Sequence, residues 1–339
     1  MFYCLTSAQT ERHGGAFIKM NAGVRAQAMG NAQVAVLVNE VLPYWNPAAI
    51  PFLKERIFSL SYGRRSMDRF ESFSSLSIPV KPLAGLGLAW IARGDNNIPD
   101  RDVSEHLDTT VSDLETVFYL SFARQINRKW SAAFSVKFFY QFILTETIFG
   151  VGSLDFATIY KISDQWTWGL NLQHLNAVKE GAIDDPTDNS DLEVSIRERI
   201  SPNLKTGVAW TYFVWQRTHL VTADLNINYR RFEGLDLSHP NQTRTYHLEE
   251  IRLNVGHEFW FNEQLAIRCG YESDPIVMDV QALDLLTTNE FSYGLGRFTL
   301  GFGIKGIKRL YGSDLDYVLT HDKNYGAGLT NSFAWSLHF

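Results

Sequence analysis

Two short clusters hold the residues that could bind a metal ion. His247 lies close to Glu249 and Glu250 in the chain. On a β-strand His247 and Glu249 would point to one face and Glu250 to the other, which favours a solvated loop edge over a metal site. The second cluster is acidic, and although oxygen-rich loops can bind calcium, its spacing does not match an EF-hand. We therefore predict no metal site, with calcium as the alternative at Asp184, Asp185, Asp188 and Asp191.

The motifs of the common catalytic classes are missing from the sequence. It contains no His-Glu-x-x-His, no Gly-x-Ser-x-Gly and no phosphate-binding glycine loop. Ser336 and His338 share one face of the last predicted strand, but polar neighbours on one face are general in polar-lined barrels. The net charge of −6 and the lack of a basic cluster argue against nucleic acid as a partner. We predict a protein that is not an enzyme and needs no cofactor.

The chain ends, from Gly328 to Phe339, in a segment that alternates between apolar and polar residues. A period of two indicates a strand with two different faces. Transmembrane barrels show this alternation because outward residues meet lipid and inward residues meet a polar lumen. The terminal aromatic therefore predicts a β-barrel of the bacterial outer membrane, whose assembly signal comprises Phe333, Trp335, Leu337 and Phe339.

Similar segments, bounded by turn residues, recur along most of the chain. The predicted strands cover 55–62, 70–80, 83–93, 115–126, 130–143, 148–162, 165–176, 203–213, 217–230, 246–260, 263–273, 289–303, 309–319 and 329–339. Short turns alternate with longer polar segments, the largest at 94–114, 177–202, 231–245 and 274–288, as periplasmic turns alternate with external loops. No apolar run reaches the ~18 residues of a transmembrane helix. The predicted fold is all-β: a fourteen-stranded antiparallel transmembrane β-barrel, in contact with outer-membrane lipid and monomeric because closure leaves no free edge.

The strand phase predicts which residues face the lumen. From Trp130 to Phe142 the even-numbered residues, most of them aromatic, share one face, and Lys137 lies with Phe139 on the other. Lys137 must point inward, since a lysine facing lipid near the bilayer midplane would cost about 2 to 4 kcal/mol. The same argument places Arg268 inward, between the outward residues of 265–271. Trp130 and Trp166 follow short turns and are predicted to join a periplasmic aromatic girdle, unless they simply pack within their strands.

The N-terminal part of the chain lacks this alternation. Residues 1–8 resemble the end of a truncated signal peptide, cleaved before Gln9; the alternative is an ordinary disordered terminus. Removing them would remove Cys4 and leave Cys269 as the single cysteine, without a disulfide. Residues 9–53 are rich in Gly and Ala, so we predict a plug inside the lumen of a barrel formed by 54–339. Two short helices are expected in it, one at 26–35 broken at Gly30 and one opening at Pro47.

Arg25 is a cation within this small-residue segment. Burying it unpaired would cost several kcal/mol, so it needs a partner. We expect an inward carboxylate that anchors the plug, or alternatively the carboxylate of a ligand. Trp45, Asn46 and Pro47 form a rigid turn that either positions the plug or lines a ligand pocket.

Several motifs resemble the PorV/PorQ family of outer-membrane proteins. They are Gly23-Val24-Arg25-Ala26, Met29-Gly30-Asn31-Ala32, Val34-Ala35, Trp45-Asn46-Pro47-Ala48, Pro202-Asn203-Leu204 with Gly207, Gly256-His257-Glu258-Phe259-Trp260, Leu265-Ala266-Ile267-Arg268-Cys269-Gly270-Tyr271 and Asp314-Leu315-Asp316-Tyr317. The resemblance spans most of the chain in the same order. Two positions depart from it: Asn39 stands where Asp is usual, which puts an acidic role there in doubt, and Cys269 stands where Ala is commoner.

The resemblance implies a FadL-like barrel with an N-terminal hatch, and one of two functions. The first is support of protein secretion by the type IX system, with a translocon and cargo proteins as partners. From their length, the loops at 94–114 and 177–202 are predicted to carry the partner contacts. The alternative is a FadL-like transporter of hydrophobic small molecules, with a fatty-acid-like ligand in the lumen and sideways release through the wall. A purely structural barrel is the third reading.

Overall fold

The computed structural model describes residues 22–64, 69–101, 107–143, 146–184, 193–235, 243–279, 284–285, 296–307, 312–321 and 329–339. Within them the strands are β1 (Ile57–Arg64), β2 (Arg69–Val80), β3 (Ala84–Arg101), β4 (Leu107–Gln125), β5 (Trp130–Ile143), β6 (Glu146–Lys161), β7 (Trp166–Leu175), β8 (Val178–Asp184), β9 (Glu193–Arg199), β10 (Asn203–Val214), β11 (Arg217–Leu235), β12 (Thr243–Trp260), β13 (Leu265–Glu272), β14 (Ile276–Asp279), β15 (Asp284–Leu285), β16 (Arg297–Ile307), β17 (Ser313–His321) and β18 (Leu329–His338). No helix of the described chain has the length and apolar character needed to cross a bilayer.

The strands close into an antiparallel barrel. The first strand pairs with the last over its full length, from Ile57 opposite His338 to Arg64 opposite Asn331. Arg56 and Phe339 extend this seam by exchanging backbone hydrogen bonds of 2.9 and 3.1 Å. Fourteen strands form the closed wall, because β7 pairs directly with β10 and β13 with β16. The predicted fourteen-stranded barrel is therefore confirmed.

The remaining four strands lengthen the hairpins on one side of the barrel. Strands β8 and β9 pair with each other, and β8 also pairs with β6. Strands β14 and β15 form a short hairpin beside β12. The segments 94–114, 177–202, 231–245 and 274–288 were predicted as loops, yet each contains strand residues. Sequence alternation misses them because these segments are rich in charged and turn-forming residues, while their backbone still pairs.

Burial along the strands follows the predicted phase. On β5 the odd-numbered side chains from Ser131 to Gln141, Lys137 among them, are buried, whereas Trp130, Phe134 and Phe138 are exposed. Lys137 Nζ lies 2.7 Å from Asp155 on the neighbouring β6. On β13 the side chain of Arg268 is buried and that of Ile267 is exposed. Both inward predictions are confirmed.

Three of the short turns are closed by the same kind of side-chain hydrogen bond. The side-chain oxygen of Asn127 accepts the backbone N–H groups of the residues two and three positions later, at 2.8 and 2.9 Å. Ser163 and Asn262 do the same in their turns. Such turns close a hairpin without a glycine. Trp166, which follows one of them, is exposed and stacks on Trp210 with ring centres 5.3 Å apart.

Some strands begin later than predicted, among them β17, which begins at Ser313 where residue 309 was predicted. The alternation placed the start of the twelfth strand of the wall at residue 289, whereas β16 begins at Arg297. Residues 286–295 lie outside the described chain. Gly296, with a φ of 60°, stands immediately before the strand.

Candidate functional site

The N-terminal segment, here residues 22–53, contains three short helical elements. They are α1 (Val24–Ala28), α2 (Leu42–Trp45) and a 3-10 helix at Pro47–Phe52. The first is shorter than the predicted helix at 26–35, because Gly30 and Asn31 adopt left-handed φ angles of 60° and 64° and end it. Asn46 starts the 3-10 helix by accepting the N–H of Ala48 at 3.1 Å.

This segment contacts the inner faces of strands on both sides of the barrel. Helix α1 packs against β13, β16, β17 and β18, whereas α2 packs against β2, β3 and β4. The 3-10 helix contacts β2 through β6. Nearly all of its side chains are buried, and Val38 is the exposed exception among the described residues.

A buried ion network joins the segment to the wall. The guanidinium of Arg25 donates to both oxygens of Glu258, from Nε and Nη2, each at 2.8 Å. Its Nη1 donates to the carbonyl of Val38. Glu258 also accepts from Arg268 Nε at 2.6 Å, and Arg268 Nη1 reaches Asp316 at 2.5 Å. The two arginines and the two carboxylates thus alternate in a chain that runs from α1 to β12, β13 and β17.

The electrostatics of Arg25 fit an anchor. Burial alone would lower the pKa of Arg25, but the adjacent Glu258 carboxylate outweighs it and raises the pKa above its usual value. Glu258 already forms the bidentate pair with Nε and Nη2 of Arg25, the edge of the guanidinium at which a ligand carboxylate would bind. Of the two roles considered for Arg25, the geometry supports attachment of the segment to the wall.

A second set of hydrogen bonds attaches the turn that follows α1 to the wall. Asp224 on β11 accepts the backbone N–H groups of Gln33 and Val34 through Oδ2, at 2.5 and 2.8 Å. Asn31 Nδ2 donates to Glu272 on β13 at 2.8 Å. The wall therefore supplies carboxylates to backbone and amide donors that would otherwise be buried without acceptors.

Glycines in the wall make room for the same turn. Gly256 and Gly270 are directly paired on β12 and β13. A Cβ at Gly270 would overlap the backbone of Gly30, and one at Gly256 would overlap that of Met29. Met29 and Gly30 thus pack backbone against backbone with the wall, which explains why two glycines face the lumen here.

Trp45, Asn46 and Pro47 lie where the segment changes direction. Trp45 Nε1 donates to the carbonyl of Ala22 at 2.9 Å, so it ties the beginning of the segment to α2. Asn46 Nδ2 donates to the carbonyls of Val34 and Thr158, at 2.7 and 3.0 Å. Gly23, with a φ of 92°, packs against Val41, and Pro47 begins the 3-10 helix.

One row of inward residues in the barrel is apolar. Phe73, Ile91, Val117 and Phe139 are directly opposite one another on β2, β3, β4 and β5. Each is at most 1% exposed. These four residues, here the apolar rung, cluster with Tyr44 and Trp45. Inward residues of a barrel are usually polar, so the rung departs from the expected pattern.

An aromatic groove lies on the outer face of the same strands. It has a volume of about 470 Å³. Its lining comprises Ser74, Trp90, Thr116, Phe118, Phe138, Phe139 and Tyr140. Phe139 belongs both to this lining and to the apolar rung inside. The wall at β2–β5 therefore has an apolar row inside and an aromatic groove outside, although Glu71, Arg93 and Lys137 also face inward on these strands.

The inward residues of β7, β10 and β11 form polar rows. Asn171, Lys205 and Asn226 form one row across β7, β10 and β11, and Gln173, Asn203 and Asn228 form the next. The sequence analysis singled out neither Lys205 nor the inward asparagines. The signal was available, because the Trp215-Gln216 turn sets the register of this hairpin.

The residues predicted as the assembly signal lie on β18 or directly after it. Phe333, Trp335 and Leu337 alternate with the buried Ala334 and Ser336. Phe339, the residue after β18, is exposed, and their role as an assembly signal stays a prediction.

The polar pair on the last strand is divided between different partners. Ser336 donates to Ser59, whereas His338 lies 3.2 Å from Asp314. Asn39 caps a turn by accepting the N–H of Val41 at 3.0 Å, and its Nδ2 donates to Gln33. Cys269 is exposed on the outer face.

No metal-binding group is found within the part of the chain that the structure describes. Three or more His, Cys, Asp or Glu side chains do not converge there. Asp185, Asp188 and Asp191 lie outside the described residues.

No protein-family model and no curated protein matches the sequence. Solved structures do match. The toluene transporter TbuX of Ralstonia pickettii has a TM-score of 0.59 at 12% identity, over 94% of this chain and 98% of that one. TodX, a toluene transporter of Pseudomonas putida, has a TM-score of 0.59 at 11% identity, over 93% and 96%. A FadL homologue of Pseudomonas aeruginosa has a TM-score of 0.57 at 10% identity, over 94% and 97%. The chain therefore has the barrel fold of these proteins.

Proposed function

We propose that the protein is an outer-membrane channel for hydrophobic small molecules. Three solved structures with the same fold are named as toluene transporters or as a FadL homologue. The exposed aromatic and aliphatic residues on the outer face suit a lipid environment. The proposal takes up the alternative reading of the sequence; the secretion reading stays a prediction of the PorV/PorQ resemblance.

The apolar rung carries the proposal. A barrel that conducts ions or sugars lines its lumen with polar groups, whereas a hydrocarbon would gain nothing from such a surface. Phe73, Ile91, Val117 and Phe139 give it an apolar one, and the groove outside continues that surface across β2–β5. Simple packing against Tyr44 and Trp45 would also use an apolar rung, so the assignment needs a functional test.

In this proposal the N-terminal segment acts as the plug of the barrel. Its polar contacts with β11, β12 and β13 hold it while its apolar contacts cover the rung. Moving α2 away from β2–β4 would uncover the rung and let a hydrophobic molecule reach it. The molecule would then leave into the membrane through the wall behind the rung, where the groove lies.

The test is uptake of radiolabelled toluene by bacterial cells that express the protein. We expect faster uptake than in cells with an empty vector. Phe139→Asn should lower the rate severalfold, because it places a polar group in the rung, while Ser131→Asn, inward on the same strand, should leave it unchanged. Equal uptake with and without the protein, at matched amounts in the outer membrane, would refute the proposal.

A second measurement separates the secretion reading. Native purification in detergent, followed by mass spectrometry, identifies what is bound to the protein. A bound translocon subunit or cargo protein, together with toluene uptake equal to that of cells with an empty vector, would favour a role in secretion. A hydrophobic small molecule in stoichiometric amount would favour the channel.

A further inference from the structure

Seven basic residues lie at the short-turn end of the barrel, along the part of its rim that β1 to β6 form. They come from four separate segments of the chain: Lys54, Arg56, Lys81, Arg124, Arg128, Lys129 and Lys161. The same segments and the turn after β6 carry two acidic residues, Glu55 and Asp164. This group of seven, here the basic arc, is strongly positive although the whole chain has a net charge of −6. The sequence shows no basic cluster, because only strand pairing brings the four segments to one edge.

Most charges of the basic arc have no acidic partner. Five of its cations have no carboxylate oxygen of the described chain within 4.0 Å, namely Lys54, Lys81, Arg124, Arg128 and Lys129. The other two lie over rings, Arg56 at 5.8 Å from the centre of Phe339 and Lys161 at 4.0 Å from that of Phe52. The arc can therefore bind an anionic partner without first breaking an ion pair.

The position of Arg124 indicates where that partner lies. Arg124 is exposed on the outward face of β4, directly opposite Ala84 on β3 and Ala132 on β5. These two small neighbours leave its guanidinium uncovered on the surface that meets lipid. An arginine on this face is costly near the bilayer midplane and costs little near the interface. Arg124 belongs to the interface, since the strand ends one residue later at Gln125.

The next outward row, one step toward the middle of the barrel, is apolar. It consists of directly paired residues on β3 to β6, each between 38% and 53% exposed: Leu86, Phe122, Phe134 and Phe156. The rings of Phe122 and Phe134 lie 5.7 Å apart. A cation at the rim and an apolar row above it repeat the order of a phospholipid, whose phosphate lies at the interface and whose acyl chains lie deeper.

Exposed apolar side chains also lie between the cations of the arc. They occur next to each of its turns and are between 42% and 52% exposed: Leu83, Ile126, Trp130 and Ile162. Cations interspersed with exposed aliphatic and aromatic residues are typical of a surface at the membrane interface. A soluble acidic protein would use the charges of the turns but would not reach Arg124 on the lipid side. The observations thus favour a lipid over a protein.

We propose that the basic arc binds anionic phospholipids of the leaflet at the short-turn end, which is the periplasmic leaflet in outer-membrane barrels. Arg124 binds the phosphate, for which a guanidinium offers paired donors, and the acyl chains lie on the row of Phe122 and Phe134. The other cations of the arc favour a head group with a net negative charge over a zwitterionic one. This inference goes beyond the proposed function and does not depend on which molecule passes through the barrel.

The test compares phosphatidylglycerol and phosphatidylcholine with the same acyl chains, which differ in the net charge of the head group. Each lipid is titrated into the purified protein in a neutral detergent, and bound lipid is counted by native mass spectrometry. We expect phosphatidylglycerol to bind at least about fivefold more tightly, as one cation at a membrane surface allows. Arg124→Gln should lower that preference and Arg124→Lys should keep most of it.

A triple variant and a matched control locate the effect. The combination of Lys81→Gln, Arg124→Gln and Lys129→Gln should bind the two lipids equally. Arg217 lies at the same end of the barrel but outside the arc, with its guanidinium 5.2 Å from the ring centre of Phe261. Arg217→Gln should therefore keep the wild-type preference. If the triple variant does not fold, judged by its mobility in unheated gels, Arg124→Gln carries the test.

Three results would overturn the inference: equal binding of the two lipids, the full preference in the Arg124→Gln and triple variants, or an equal loss in Arg217→Gln. Glycerol phosphate, the free head group, should not displace phosphatidylglycerol at the same concentration, because it has no chains to lie on the apolar row. Displacement by it would assign the arc to soluble phosphate compounds instead. An acidic protein bound in place of lipid would overturn the inference as well.

Discussion

Replacing Arg25 by Met tests whether the ion network holds the N-terminal segment on the wall. Methionine keeps much of the length and apolar character of the side chain but removes its donors. The variant loses both contacts with Glu258 and the contact with the Val38 carbonyl. Glu258 keeps its bond to Arg268 and therefore stays partly neutralised.

The size of the effect follows from these contacts. Removing one partner of a buried ion pair costs about 3 to 5 kcal/mol. The lower end applies, because Arg268 remains beside Glu258. With 1.4 kcal/mol for each factor of ten, a loss of about 3 kcal/mol lowers the docking constant of the segment on the order of a hundredfold.

Hydrogen exchange of backbone amides measures this constant locally. The N–H of Asn31, bonded to the carbonyl of Ala26 at 2.8 Å, reports on α1. It should exchange about a hundredfold faster in Arg25→Met, because exchange follows the free energy of local opening. Amides in the centre of β5 should keep their protection, since the barrel itself does not depend on Arg25.

Two variants complete the experiment. Arg25→Lys keeps the charge but not the two-pronged geometry, so it should lie between the wild type and Arg25→Met. His338→Leu removes the contact with Asp314, which joins two wall strands, and should leave α1 protected. Unchanged exchange at Asn31 in Arg25→Met would show that the network does not anchor the segment.

Two further predictions concern packing and charge in the wall. Gly270→Ala should undock the turn at Gly30 at a cost of about 1 to 3 kcal/mol, because the new methyl group overlaps that backbone; hydrogen exchange at Asn31 should rise, whereas Cys269→Ala, on the outer face, should have no effect, and an unchanged rate in Gly270→Ala would contradict the contact. Lys137→Met should destabilise the barrel by about 3 to 5 kcal/mol by leaving Asp155 buried and unpaired, measured as earlier thermal unfolding, and a second substitution, Asp155→Leu, should recover most of the loss if the pair is the cause.

The strand phase was predictable because each side chain has only two directions in a sheet. Lys137 and Arg268 could be placed inward from their apolar neighbours, without knowledge of any tertiary contact. Their partners could not be predicted in the same way. Asp155 lies within reach of a hairpin argument, but Glu258 is 233 positions from Arg25 and becomes its partner only when the barrel closes.

The hairpin of β8 and β9 and the polar part of the interior were harder to predict for different reasons. Residues 178–184 and 193–199 form short strands rich in charged residues, so hydrophobic periodicity gives only a weak signal for them. Lys205 has an ordinary inward position, and what distinguishes it is that its ammonium lies over the rings of Tyr44 and Trp45. These rings belong to the N-terminal segment, so the sequence around Lys205 gives no sign of the contact.

The long separation between the N-terminal segment and its contacts determines when it can settle during biogenesis. Arg25 meets its partner 233 residues later, and Gly30 meets Thr299 269 residues later. Contacts of such high separation form late, after the intervening chain has ordered. We therefore expect the N-terminal segment to be among the last parts of the chain to reach its final position, after the strands that it contacts have paired.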